Sequence, residues 1–123
     1  EQIASGLFKP LVGRFRPCHE PLLEGLVHTI NGKCGGQFGY FSAHASNTFG
    51  LAGFLYLTFK NNDKYKSIGK IMFFWAAIVS YSRVYVGVHY PLDILSGAIC
   101  GLIVSYLVYK LYSISVNKLL NKH

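Results

Sequence analysis

Three long stretches of the chain carry almost no charge, and this feature limits the folds that are open to it. They cover residues 42–59, 67–82 and 94–109. A helix that spans a bilayer needs about 20 predominantly apolar residues, with a range of about 17–25. The first stretch meets this range alone, and the other two reach it with flanking residues. We therefore predict an all-α fold, an integral-membrane helical bundle; the alternative is a soluble bundle with buried helices.

The composition favours the membrane interpretation. Of the 123 residues, 51% are hydrophobic and only 14% are charged, whereas soluble domains carry about 25% charged residues. This length predicts a single domain over residues 1–123. In so apolar a chain, the net charge of +7 favours anionic lipid head groups or phosphate substrates as partners and argues against nucleic acid.

The lysines predict the orientation in the membrane. They cluster between residues 60 and 70 and again after residue 109, and the positive-inside rule places both groups in the cytoplasm. The segments 9–44 and 82–93 then face outward. For a bacterial inner membrane, the outward side is the periplasm.

The outward segment between residues 17 and 39 has its own pattern. Pro21 precedes apolar residues at helical spacing, which are Leu22, Leu23, Leu26, Val27 and Ile30. This pattern predicts a short amphipathic helix on the membrane surface. Cys18 and Cys34 flank it, and an oxidising periplasm would let a disulfide between them persist. The alternative is two free thiols.

Polar and ionisable residues stand at the ends of the apolar stretches. They are Lys9, Arg16, Ser42, His44, Arg83, His89 and Asp93. Ionisable groups at membrane depth are costly and usually mark a site. Cations and helix N-termini on one face indicate an anion pocket, most simply for phosphate. On a helical turn, Asp93 can hold one imidazole nitrogen of His89 and leave the other free as nucleophile or base.

The pattern resembles the type-2 phosphatidic acid phosphatase superfamily of membrane lipid phosphatases. Its signature is Lys-x6-Arg-Pro, then Pro-Ser-Gly-His, then Ser-Arg-x5-His-x3-Asp. The chain has KPLVGRFRP at 9–17, FSAH at 41–44 and SRVYVGVHYPLD at 82–93. The first and third parts match at every specified position, whereas the second has Phe41 and Ala43 in place of Pro and Gly.

The resemblance implies a mechanism and a set of site residues. His89 would attack phosphorus to form a phosphohistidine, Asp93 would orient it, and His44 would act as general acid and base. The implied phosphate-binding residues are Lys9, Arg16, Ser42, Ala43 and Arg83. An Ala at position 43 would be strained by roughly 1–2 kcal/mol if the position requires a positive φ.

The resemblance also implies a substrate class and an architecture. The substrate would be a lipid phosphate or a polyprenyl pyrophosphate such as undecaprenyl pyrophosphate, with no metal and no cofactor. Family members typically have six helices, so the chain would supply the last three to four and lack the N-terminal helices. The resemblance leaves the oligomeric state open.

Other functions and other residue assignments remain open at this level. The chain could resemble a vanadium-dependent haloperoxidase or a soluble acid phosphatase, although its apolar helices argue against both. It could also be a non-catalytic lipid-phosphate binding or transport protein, although both motif histidines and Asp93 are present. Arg14 lies outside the signature and is interpreted as a surface cation.

Overall fold

The computed structural model describes residues 4–121, and this range contains helices and turns but no β-strand. A π-helical turn, Ala4–Phe8, leads into the short helix α1 (Lys9–Val12). Three long helices follow, namely α2 (Ala43–Phe59), α3 (Lys66–Tyr85) and α4 (Pro91–Leu120). The predicted all-α class is confirmed.

Small residues set the packing of the long helices. Helix α2 packs against both α3 and α4. A Cβ atom at Gly97 would overlap the carbonyl oxygen of Ser42, and one at Gly101 would overlap that of Ser46. Glycines of this kind let two helix backbones approach closely. The first turns of α2 and α4 therefore lie side by side.

Most large apolar side chains face away from the helix contacts, and the buried apolar residues are few and mostly alanines. Helix α4 is 30 residues long, and its most apolar window has a mean hydropathy of 1.8, with only 28% of that window buried. Among the helices in residues 4–121, it alone is long and apolar enough to cross a membrane.

Three stretches were predicted to span a bilayer. Among the described residues, only the third, which lies in α4, belongs to a helix that is long and apolar enough. Helix α2 has 17 residues and begins with polar side chains, including His44 and Asn47. Helix α3 has 20 residues but carries the charges of Lys66, Lys70 and Arg83. These polar and charged groups lower the apolar character of both helices.

The prediction of an amphipathic surface helix over residues 21–30 is wrong. The structure has separate 3-10 turns at Pro21–Leu23 and Ile30–Gly32. Gly25 between them has a φ of +78°, and this left-handed conformation interrupts a right-handed helix. Of the apolar side chains, Val27 packs against the loop before α4, where its Cγ1 leaves no room for a Cβ at Gly87. Leu22, Leu26 and Ile30 are exposed.

The outer segment, residues 13–42 between α1 and α2, is closed by two internal links and joined to the rest of the chain by a third. Phe15 and Phe38 form an isolated antiparallel bridge. The structure joins Cys18 and Cys34 in a disulfide with their Cα atoms 6.0 Å apart. The backbone N–H of Cys18 donates to the carbonyl of Gly87 at 3.1 Å. The bridge and the disulfide close the segment on itself, and the hydrogen bond of Cys18 holds it against the loop between α3 and α4.

Candidate active site

Residues from separate parts of the chain meet around one cavity of about 250 Å³. Helix α1 and the outer segment bring Lys9 and Arg16, and the first turn of α2 brings Ala43 and His44. The last turn of α3 brings Arg83, and the loop before α4 brings His89. The structure thus gathers six of the eight predicted site residues on one cavity wall.

Lys33 also lines this cavity, together with Cys34 and Gly35. Lys33 lies outside the three motifs, and a lysine in a glycine-rich loop has no periodicity that would single it out. The position of Lys33 depends on the fold of the outer segment, in which the Cys18–Cys34 disulfide closes a loop. The cavity therefore has four cationic side chains on its wall, one more than the motifs predict.

Asp93 lies in the first turn of α4, and His89 lies in the loop just before that helix. The distance between Nδ1 of His89 and Oδ2 of Asp93 is 3.7 Å, which is longer than a normal hydrogen bond. His89 is 4% exposed and Asp93 is fully buried. Within residues 4–121, Nδ1 of His89 has no hydrogen-bond partner, while Oδ2 of Asp93 accepts from the Tyr90 N–H at 2.9 Å.

The surroundings of His89 favour its neutral form. Burial, together with the positive charges of Arg16 and Lys9, lowers the pKa of His89 to about 4. His44 acts in the same direction, while the backbone of Gly39 opposes it. Near pH 7 the imidazole is therefore unprotonated, which is the state that a nucleophile or base requires.

Arg16 is anchored by the outer segment on both its backbone and its side chain. Its backbone N–H donates to the carbonyl of Gln37 at 3.0 Å. Its guanidinium donates to the carbonyls of Phe38 at 3.3 Å and Cys34 at 2.9 Å. Burial lowers the pKa of Arg16, yet an arginine stays charged in proteins. The disulfide-closed segment thus orients a cation of the cavity.

Ser42 and Ala43 differ in their relation to the cavity. Ser42 is fully buried, and its hydroxyl oxygen caps α2 by accepting from the Ala45 N–H at 3.3 Å. The cavity wall contains Ala43 and does not contain Ser42. Ala43 is the first residue of α2, and among the described residues only Asn31 is a non-glycine with positive φ. The strain considered for Ala43 is therefore absent.

Arg14 is not the surface cation that its place outside the motifs predicts. Its guanidinium forms an ion pair with Oδ1 of Asp93, and its side chain is 34% exposed. The guanidinium carbon lies 5.5 Å from the ring centre of Tyr40 and 5.0 Å from that of Tyr90. Arg14 thus contacts the carboxylate that neighbours His89. Sequence reasoning missed this contact because 79 positions separate the two residues.

The arrangement is suited to a tetrahedral anion. Lysine and arginine side chains surround the cavity, and such cations bind phosphate oxygens through charge-assisted hydrogen bonds. Two imidazoles, those of His44 and His89, lie on the same wall and can carry protons or attack phosphorus. Residues 4–121 contain no group of three or more His, Cys, Asp or Glu side chains placed to hold a metal ion.

The chain belongs to the PAP2 superfamily, whose family model matches residues 1–116. It is 41% identical over 112 residues to a lipid A 4'-phosphatase of Porphyromonas gingivalis, covering 91% of this chain and 46% of that protein. It is 44% identical over 102 residues to a lipid A 4'-phosphatase of Bacteroides thetaiotaomicron, covering 82% of this chain and 44% of that protein.

A shorter similarity links the chain to an undecaprenyl-diphosphatase of Sulfolobus acidocaldarius, with 59% identity over 32 residues. That match covers 26% of this chain and 16% of that protein. The chain spans less than half the length of the two lipid A 4'-phosphatases. No solved structure shows a significant match to it.

Proposed function

We propose that the protein is a metal-independent membrane phosphatase that hydrolyses a lipid phosphate or a polyprenyl pyrophosphate. The observation that carries this proposal is the cavity in which Lys9, Arg16 and Arg83 surround the imidazoles of His44 and His89. Membership of the PAP2 superfamily and the similarity to two lipid A 4'-phosphatases support it.

The first chemical step is the attack of His89 on phosphorus. Nε2 of neutral His89, the ring nitrogen that does not face Asp93, forms a bond to phosphorus as the bond from phosphorus to the leaving oxygen breaks. His44, in its protonated form, gives its proton to that oxygen. The products are a phosphohistidine and the dephosphorylated lipid, or a lipid monophosphate when the substrate is a pyrophosphate.

The second step is the hydrolysis of the phosphohistidine. His44, now neutral, takes a proton from a water molecule as the water oxygen bonds to phosphorus and the phosphorus–nitrogen bond breaks. This releases inorganic phosphate, restores neutral His89 and leaves His44 protonated for the next cycle. One water molecule is consumed, and its atoms are the only ones in the products that do not come from the substrate.

The cations stabilise the charge that both steps place on the phosphoryl oxygens. Lys9, Arg16 and Arg83 already line the cavity, and Arg16 is anchored by two backbone carbonyls, so little reorganisation is needed during the reaction. The first turn of α2 adds its free backbone N–H groups, including that of Ala43. The buried carboxylate of Asp93 stabilises the positive charge that develops on His89.

The membrane placement is part of the same proposal. The apolar surface of α4 is suited to lipid, and the site lies at the end of the helices opposite the Lys60–Lys70 region. By the positive-inside rule, that lysine-rich end is cytoplasmic. The site would then face the periplasm from the inner membrane of a bacterium and take its substrate from the outer leaflet.

The test is phosphate release by the full-length protein in detergent, measured with and without EDTA. The panel contains lipid A, undecaprenyl pyrophosphate and phosphatidate. We expect release from at least one lipid, no loss in EDTA, and inhibition by vanadate, which can occupy a phosphate pocket as a trigonal bipyramid. Inactivation by EDTA with recovery in Mg²⁺ would contradict the mechanism, and no release from any lipid would contradict the function.

A further inference from the structure

We infer that Arg14 is a positioning residue for the proposed nucleophile, acting through Asp93; the inference rests on the proposed function. Arg14 lies outside the three motifs, yet its guanidinium ion-pairs with Oδ1 of Asp93. The other carboxylate oxygen, Oδ2, lies 3.7 Å from Nδ1 of His89. One buried carboxylate thus stands between a fixed cation and the imidazole.

The carboxylate of Asp93 needs a partner that the imidazole does not supply. Asp93 is fully buried, and a buried charge is tolerated only when it is paired and hydrogen-bonded. The backbone N–H of Tyr90 satisfies Oδ2 in part, and His89 lies beyond hydrogen-bond distance. Arg14 is the cation that contacts Oδ1, so it determines where the carboxylate sits relative to Nδ1.

Arg14 is itself held in place from two sides. Its guanidinium lies over the rings of Tyr40 and Tyr90 at cation–π distance, and planar guanidinium groups are suited to such contacts. Its carbonyl accepts a hydrogen bond from the Gly39 N–H at 3.0 Å. The extended backbone at Phe15 places Arg14 and Arg16 on the same side of the chain. One short segment therefore orients both a phosphate-binding cation and the partner of Asp93.

A lysine at this position would keep the charge but lose the flat shape. The ammonium group is a point charge on a flexible stem, whereas the guanidinium presents a rigid, planar set of donors. The exchange Arg14→Lys should therefore restore part of the function, and Arg14→Gln should not. A purely structural contact between the two tyrosines would make no such distinction by charge.

The experiment is a double-mutant cycle on the full-length protein, with Arg14→Gln, Asp93→Asn and the double variant. We expect Arg14→Gln to lower kcat about 10- to 100-fold with KM changed less than about twofold, and Arg14→Lys to lower it less. In the Asp93→Asn background, Arg14→Gln should have no further effect, because the residue it acts through is neutral. Lys60→Gln is the control for loss of an exposed cation.

A second readout does not require turnover. The ¹⁵N signals of the His89 ring, identified by their loss in His89→Gln, should move in Arg14→Gln and stay in place in Lys60→Gln. If wild-type protein releases no phosphate but these signals move, the proposed function fails and the positioning role stands. If wild type is active while kcat and the ring signals are unchanged in Arg14→Gln, the positioning role is wrong.

One further outcome is decisive. Losses that multiply between Arg14→Gln and Asp93→Asn would show that Arg14 acts elsewhere, and this would overturn the inference. If Arg14→Gln does not fold, Arg14→Lys replaces it in the cycle. In the Asp93→Asn background, residue 93 is neutral, so replacing Arg14 there leaves no unpaired buried carboxylate.

Discussion

Nδ1 of His89 and Oδ2 of Asp93 lie 3.7 Å apart. This Nδ1 is buried and has no hydrogen-bond partner within the described part of the chain. The pair is thus close but not hydrogen-bonded. A positive charge that develops on His89 during attack on phosphorus would strengthen the interaction with the carboxylate. The arrangement therefore favours the positively charged imidazole of the proposed transition state over neutral His89.

Replacing either cavity histidine should abolish most of the activity. We expect His89→Ala or His44→Ala to lower turnover by at least about 10²-fold, because general acid–base groups contribute about 10²–10⁴-fold. The measurement is phosphate release under saturating substrate. The matched control is Lys60→Ala, which removes an exposed cation at the far end of α2. Equal losses in all three variants would contradict the assignment.

Acid should destabilise the protein through His89. Its pKa is about 4 in the folded protein and about 6.5 in an unfolded chain. Between these values the unfolded state binds more protons, so stability falls as the pH falls from about 6.5 to about 4. We expect the Tm of wild type to drop more steeply across this window than that of His89→Gln. The control is Asn61→Gln, which alters an exposed side chain without a titratable group and should leave the slope unchanged.

Reduction of the Cys18–Cys34 pair should weaken both stability and substrate binding. Closing a loop of this size stabilises by roughly 3 kcal/mol in the chain-entropy treatment. The carbonyl of Cys34 also accepts from the Arg16 guanidinium, so loosening the loop should raise KM. The measurement compares Tm and KM for Cys18→Ser with those for Cys100→Ser, which alters a free thiol. A Tm insensitive to both Cys18→Ser and reductant would show that the thiols do not pair.

Enlarging Gly97 should separate α2 from α4 and disturb the site. A Cβ at this position would overlap the Ser42 carbonyl, which is a backbone group that cannot move without shifting α2. We expect Gly97→Ala to lower the Tm and also kcat, because Asp93 lies one turn before it. Gly6→Ala is the matched control, since a Cβ at Gly6 has no neighbour within 4 Å. Equal Tm values for the two variants would be inconsistent with the close packing described.

The sequence by itself determined the features that depend on neighbouring residues. Apolar stretches determined the three long helices. The spacing of His89 and Asp93 indicated that the two are close, although His89 lies in the loop before α4 and not on a helical turn. Local pattern was misleading where backbone conformation intervened. Residues 21–30 have helical spacing, but the positive φ of Gly25 prevents the helix.

Only the tertiary structure decided which distant residues share the site. Arg14 and Asp93 are separated by 79 positions, and no periodicity relates a residue of the outer segment to one on α4. Lys33 reaches the cavity because its loop folds back over Arg16. Close contact between α2 and α4 at Gly97 and Gly101 sets the distance between their first turns. These relationships depend on how helices pack in three dimensions, and local sequence patterns carry no information about that packing.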